Sequence, residues 1–119
     1  MEEIKIFEDA IADNCKDLKA AGINPTAFWA YRYSKEADNE LLDFHEVIWD
    51  KDIEAIVKIC RENGIEEFTI SSTSSSLTEV LAKFDEYGCK IEGITKVNAT
   101  YTDWTTGKRA VIPAIKMKL

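Results

Sequence analysis

Histidine occurs once, at position 45, and the three cysteines, Cys15, Cys60 and Cys89, are scattered with no Cys-x-x-Cys pair. A zinc site needs about four convergent Cys or His ligands at short spacings, so no metal centre is expected. Cys15 and Cys60 fall on apolar helical positions and read as small core residues of a chain kept reduced. No apolar run approaches the roughly 20 residues that cross a bilayer. The start, Met-Glu-Glu-Ile-Lys, has no basic stretch leading into an apolar one, so it does not read as a signal peptide. No membrane association and a cytoplasmic location are therefore expected. A glycine-rich phosphate loop followed by lysine is also missing, and no cofactor is implied.

What is present suits a single domain over residues 1–119: 45% of the chain is hydrophobic and 31% charged, enough for a core without disulfides. The net charge of −7 is uneven. Residues 1–87 carry 9 basic and 20 acidic side chains, whereas residues 88–119 carry 6 basic and 2 acidic ones. An acidic chain repels polyanions, so nucleic acid is not expected as a partner despite the basic C-terminal quarter.

Along the chain, Ile4, Phe7, Ile11, Cys15 and Leu18 share a helical face, and Gly22 offers a stop. Asn24-Pro25 opens a second helix, with Asn as N-cap and Pro at the first position, carrying Phe28, Trp29, Tyr31 and Tyr33 to about Ala37. Neither period holds over 38–49, which reads as an ordered connection; residues 26–49 are the least determined part. Asp50 is expected to cap a third helix with Ile53, Ile56, Val57 and Cys60 inward, ended by Asn63-Gly64. Glu67 to Ser71 alternates as a strand, with Phe68 and Ile70 inward. Ser76-Leu77-Thr78-Glu79 has the spacing of a capping box, and Leu77, Val80, Leu81 and Phe84 face a core until Gly88. Cys89 to Tyr101 is a long strand with a bulge at Gly93, and Ala110 to Leu119 returns after a turn. Pro113 donates nothing to a ladder, so that last strand should be an edge or bulged. The expected fold class is α+β: four helices on a three-stranded mixed sheet, a strand–helix–strand crossover followed by an antiparallel hairpin.

Two surfaces stand out. Residues 69–76 hold seven hydroxyls in eight positions at a strand-to-helix joint. Ser71, Ser72, Thr73, Ser74 and Ser75 could line an anion site at the helix N-terminus. The same hydroxyls would also serve to cap the helix and order the loop, or as sites of covalent modification. His45, between Asp43 and Glu46, is a candidate ligand contact near that loop or a solvated loop residue. No catalytic residue is assigned. The second surface is the hairpin. Lys90, Lys96, Lys116 and Lys118 would share its outer face, with Tyr101, Trp104, Lys108 and Arg109 at its tip as candidate partner contacts.

The stretches Asp-Phe-His-Glu-Val-Ile-Trp (43–49), Glu-Phe-Thr-Ile-Ser-Ser-Thr (67–73) and Tyr-Thr-Asp-Trp-Thr-Thr-Gly (101–107) resemble an uncharacterised family of small Firmicutes proteins. Its members are often encoded beside plasmid, phage or conjugative-element genes. The resemblance covers Asp43 to Leu119 and implies a cytosolic accessory protein. The order strand, helix, Phe84-Asp85-Glu86-Tyr87-Gly88-Cys89, strand, strand is also similar to the C-terminal half of GNAT-type N-acetyltransferases. That family's pyrophosphate loop has no counterpart before Asp50, and phenylalanine stands where its proton-donating tyrosine often lies. The leading expectation is a non-enzymatic binding or regulatory module acting through a protein partner, a second copy included. The alternative is a small anion- or nucleotide-binding domain, or a GNAT-like enzyme, using the Ser71–Ser75 loop.

Overall fold

The apolar spacing of Ile4, Phe7 and Ile11 does build a helix in the computed structural model, which describes residues 1–119, but α1 spans only Lys5–Ala12. Asn14 and Cys15 both take left-handed backbone, with φ of 56°. The Cys15 amide reaches back to Ala10 O and that of Asn14 to Ile11 O, the paired bonds of a Schellman stop. A short polar side chain tolerates that conformation, so Asn14 ends the helix well before Gly22. Cys15 and Leu18 still pack against the core from the turns that follow. The spacing marked the buried face correctly and the helix length wrongly.

The second helix forms as expected. Asn24 Oδ1 accepts from Ala27 N at 3.0 Å, Pro25 takes the first position, and α2 runs Pro25–Glu36. Its inner face buries Phe28 and Tyr31 against Phe7, with ring centroids 6.3 and 4.9 Å away. Two departures follow. Within 38–49 lies a strand, β1 (Leu42–Phe44), buried at all three positions. Trp49, not Asp50, is the N-cap of α3 (Asp50–Glu62), and no side chain caps it.

Next come β2 (Glu67–Ile70), α4 (Leu77–Glu86), β3 (Lys90–Asp103) and β4 (Lys108–Lys118). The class is α+β, with a four-stranded mixed sheet ordered β1-β2-β4-β3. β1 lies parallel to β2, and β4 runs antiparallel to both β2 and β3. Register places Leu42, Phe44, Phe68, Ile70, Ile115 and Met117 on one face, and α4 lays Phe84 on Phe68 at 5.2 Å. Asp43, Thr69 and Lys116 share the other face.

β4 is therefore interior where it faces β2. β2 reaches only Ile115 to Lys118, so Pro113 sits where β4 has a strand neighbour on one side alone. The expected bulge is present, with register slipping between Ile91 and Gly93. That slip also breaks the expected lysine face. Lys90 stands opposite Lys118, but Lys96 pairs with Pro113 and projects from the other face.

The helix α2 and the turn after it close both sheet edges. Ser34 Oγ accepts from Asp43 N at 2.8 Å and donates to Asp43 O at 3.4 Å on the β1 edge. Asp38, with φ of 57°, turns the chain so that Asn39 meets the β3 edge. There the Asn39 amide donates to Asn98 O at 3.0 Å and accepts from Asn98 N at 2.8 Å, imitating a strand. Asn98 Nδ2 donates in turn to Ala37 O. Ala99, two residues on from the buried Val97, faces inward under α2, and the register slips again between Asn98 and Thr102.

Candidate functional site

The parallel register of two short strands assembles a polar chain on the sheet face that carries Asp43. Asp43 stands beside Thr69, and the next residues of like parity, His45 and Ser71, follow just past the strand ends. The amides of Ser71 and Ser72 both donate to Phe44 O, at 3.1 and 3.2 Å, fixing the two chains together there. Thr69 Oγ1 donates to Asp43 Oδ1 and Ser71 Oγ to Asp43 Oδ2, each at 2.6 Å. Ser71 Oγ also lies 3.1 Å from His45 Nδ1.

Asp43 is only 6% exposed and Ser71 4%, while the His45 ring is accessible. Burial pushes the Asp43 carboxyl above its ordinary range; the hydroxyl bonds from Ser71 and Thr69 and the nearby His45 charge oppose it. The order along this chain is His–Ser–Asp. In a nucleophilic triad the serine sits at the end and histidine in the middle. Here the serine proton is directed to the carboxylate and the oxygen is buried, so Ser71 is placed as a bridge and not as a nucleophile.

That bridge fixes what His45 presents. With Asp43 ionised, the Ser71 proton is committed to it, so His45 Nδ1 must donate and a neutral ring leaves Nε2 as an acceptor. With Asp43 protonated, the chain can reverse, and Nε2 then carries the hydrogen. The arrangement can orient an imidazole and hand one proton inward.

His45 opens onto a cavity of about 310 Å³ between α2, the end of β1 and the β3–β4 hairpin. Trp29 and Tyr33, one helical turn apart on α2, form an aromatic wall with centroids 6.0 Å apart. Val47, Ala99 and Ile112 supply apolar surface, and Asn39 and Asn98, already bonded to each other, lie at the back. Trp29 meets Phe28 edge-on at 82°, which fixes the ring from behind.

The other expected site residues are placed elsewhere. Of Ser71, Ser72, Thr73, Ser74 and Ser75, only Ser71 meets His45, and none lines this cavity. Ser72 is buried, and Thr73 and Ser75 are exposed. Ser72 Oγ accepts from Ser74 N at 3.4 Å, and Ser74 Oγ pairs with Ser76 Oγ at 2.9 Å. The capping box does not form: Ser76 precedes α4 with φ of −91°, ψ of 13° and no side-chain cap bond. Its hydroxyl is held by Ser74 instead, so the run orders its own loop. Phe84 is fully buried.

At the hairpin tip, Asp103 Oδ1 accepts from Thr105 N at 2.9 Å and from Thr105 Oγ1 at 2.6 Å, and Gly107 N donates to Asp103 O at 2.8 Å. This braced turn holds Trp104 91% exposed, with Tyr101 also exposed. Lys108 is exposed nearby, whereas Arg109 donates to Glu36 O at the C-terminus of α2. No group of three or more His, Cys, Asp or Glu side chains converges as a metal cage.

Asp43, Thr69, Ser34 and the Trp29–Tyr33 wall were not singled out as site residues from sequence. The available signal was the shared parity of Asp43-x-His45 and Thr69-x-Ser71. It becomes readable only once residues 42–44 are known to be a strand.

The profile of a family described as a domain of unknown function (DUF7698) matches residues 26–119, which contain His45, Ser71, Asp43 and all of the cavity wall except Pro25. No curated protein and no solved structure matches the chain.

Proposed function

The chain belongs to the DUF7698 family, a domain of unknown function, and we propose that it binds a small organic molecule in the cavity between α2 and the hairpin. The observation that carries this reading is the His45–Ser71–Asp43 chain, which ends with an oriented imidazole in the wall of an aromatic-lined cavity. Binding sites commonly combine apolar walls with a few convergent polar groups, starting at about 300 Å³. The ligand supplies the apolar bulk, and His45 fixes its orientation.

The anion or nucleotide expected at Ser71–Ser75 is replaced in this reading. Those hydroxyls bond within their own loop, and no Lys or Arg lines the cavity. Acetyl transfer has no support from Phe84, which is buried and has no proton to give.

Ala99→Leu, which fills the cavity, tests the proposal. Compounds that raise the melting temperature of the native protein should lose their effect on this variant. A ligand at 100 times its Kd should add about 2.7 kcal/mol of stability. Hits that stabilise the variant equally would show that binding occurs elsewhere.

A second reading has its own observation. Trp104 projects from a turn that Asp103 rigidifies, a form suited to anchoring in a protein partner. Tyr101 and Lys108 flank it, and a second copy of the chain is one such partner. A photo-crosslinking residue at position 104 should yield one discrete adduct in cells; a smear like that from an exposed control position would sink this reading. Both readings suit a cytosolic protein with free thiols.

A further inference from the structure

The charge of the cavity wall narrows the occupant. Its 17 residues include Asp43 and Glu46 and no lysine or arginine, in a chain that holds 15 basic residues. A phosphate or carboxylate would enter against two acidic groups, with His45 the one lining side chain able to offer it a positive charge. An ammonium would meet the opposite balance. The aromatic wall adds attraction of the same sign, because the faces of Trp and Tyr rings carry negative potential and hold cations within about 6 Å. Trp29 already does so on its own account: Arg32, which is not part of the wall, places its guanidinium carbon 5.4 Å from the ring centroid. The volume, near the lower end for ligand sites, suits a single ring or short branched chain.

From these features we infer that the occupant is a small organic cation, an amine with an apolar body, its charge held between the Trp29–Tyr33 wall and the Asp43–Glu46 side. This rests on the proposed binding function and makes it specific. Asp43 lines the cavity but contributes field rather than a direct bond, since both its oxygens are already bonded. Glu46, exposed at the rim, is the carboxylate free to pair directly. The salt dependence of such a contact follows from its partial exposure.

Three probes with the same ring and different heads separate the possibilities: 2-phenylethylamine, 2-phenylethanol and 3-phenylpropionate, titrated against the full chain by amide NMR. Shifts should cluster at His45, Asn98 and Ala99, with the amine bound about tenfold more tightly than the alcohol and the carboxylate weakest. Glu46→Gln should bring the amine toward the alcohol, and Trp29→Leu, which thins the apolar wall and so weakens both, should narrow the amine's advantage over the alcohol. If none of the three perturbs the cavity residues, the binding function itself fails. If amine and alcohol bind equally, or the carboxylate binds best, the cavity reading stands and the cation preference is overturned. A preference that survives both substitutions would also overturn it, by tracing the attraction to the overall charge of −7.

Discussion

In the sequence Asp43 is one of two acids beside a lone histidine, and spacing alone gives neither precedence. The structure separates them. Glu46 stays at the rim, and Asp43 reaches His45 only through Ser71. The raised pKa of Asp43 has a definite sign in stability. A carboxyl with a folded pKa above its unfolded value adds stability that is full at low pH and is lost as pH rises through the folded pKa. Asp43→Asn removes that loss. The melting temperature of the variant, relative to the native protein, should therefore climb as pH rises from about 4 to 7. Curves that stay parallel across this range would contradict it. Glu8, held low by Lys35, and Glu67, held low by Lys116, contribute the opposite slope, but they do so in both proteins and cancel from the difference. His45 and Ser71 were each visible in the sequence, one as a singular side chain and one within a hydroxyl run. Their meeting was not, because it depends on a strand pairing that nothing local announces.

Elements differ in legibility according to where their stop signals lie. α2 and α3 ended where Ala37 and Asn63-Gly64 suggested, and Gly93 bulged as expected. α1 stopped early because Asn14 can adopt a conformation usually left to glycine. β1 is hard to read because its apolar–polar–apolar alternation, Leu42-Asp43-Phe44, lasts only three residues, too few to establish a period. The caps give a direct comparison. Asn24 holds Ala27 N, so Asn24→Ala should lower stability by about 1 kcal/mol. Ser76 has the better motif and makes no cap bond, so Ser76→Ala should change the denaturant midpoint by less than half as much. Equal losses would mean that α4 does draw on the Ser76 hydroxyl.

The molecule as a whole depends on one helix end to finish its sheet. Ser34 satisfies the β1 edge, Asn39 the β3 edge, and Arg109 ties the hairpin to Glu36 O. Beside the sealed point, β3 leaves Ile91 and Ile94 exposed, the latter by 74%. Lys90, Lys96 and the Gly93 bulge discourage another strand from pairing there. Asn39→Ala frees the amide and carbonyl of Asn98 and should cost about 1–3 kcal/mol, the penalty for leaving such groups without partners. It should also introduce concentration-dependent self-association, read by sedimentation velocity. A monomer of unchanged stability would show that the asparagine pair is incidental.

The asparagine pair also bears on when the cavity comes into being. Asn39 and Asn98 are 59 positions apart in sequence and Glu36 and Arg109 are 73 apart, against the 26 that separate Asp43 from Thr69. Contacts of such range close late, since the chain must lose the entropy of a long loop before they reward it. Two strands, β1 and β2, can meet and set Asp43 against Ser71 while the hairpin is still loose. The Trp29–Tyr33 wall then has nothing opposite it. A ligand that fills the finished cavity should accordingly slow unfolding and leave the folding rate almost unchanged, because the site it recognises is absent from the transition state.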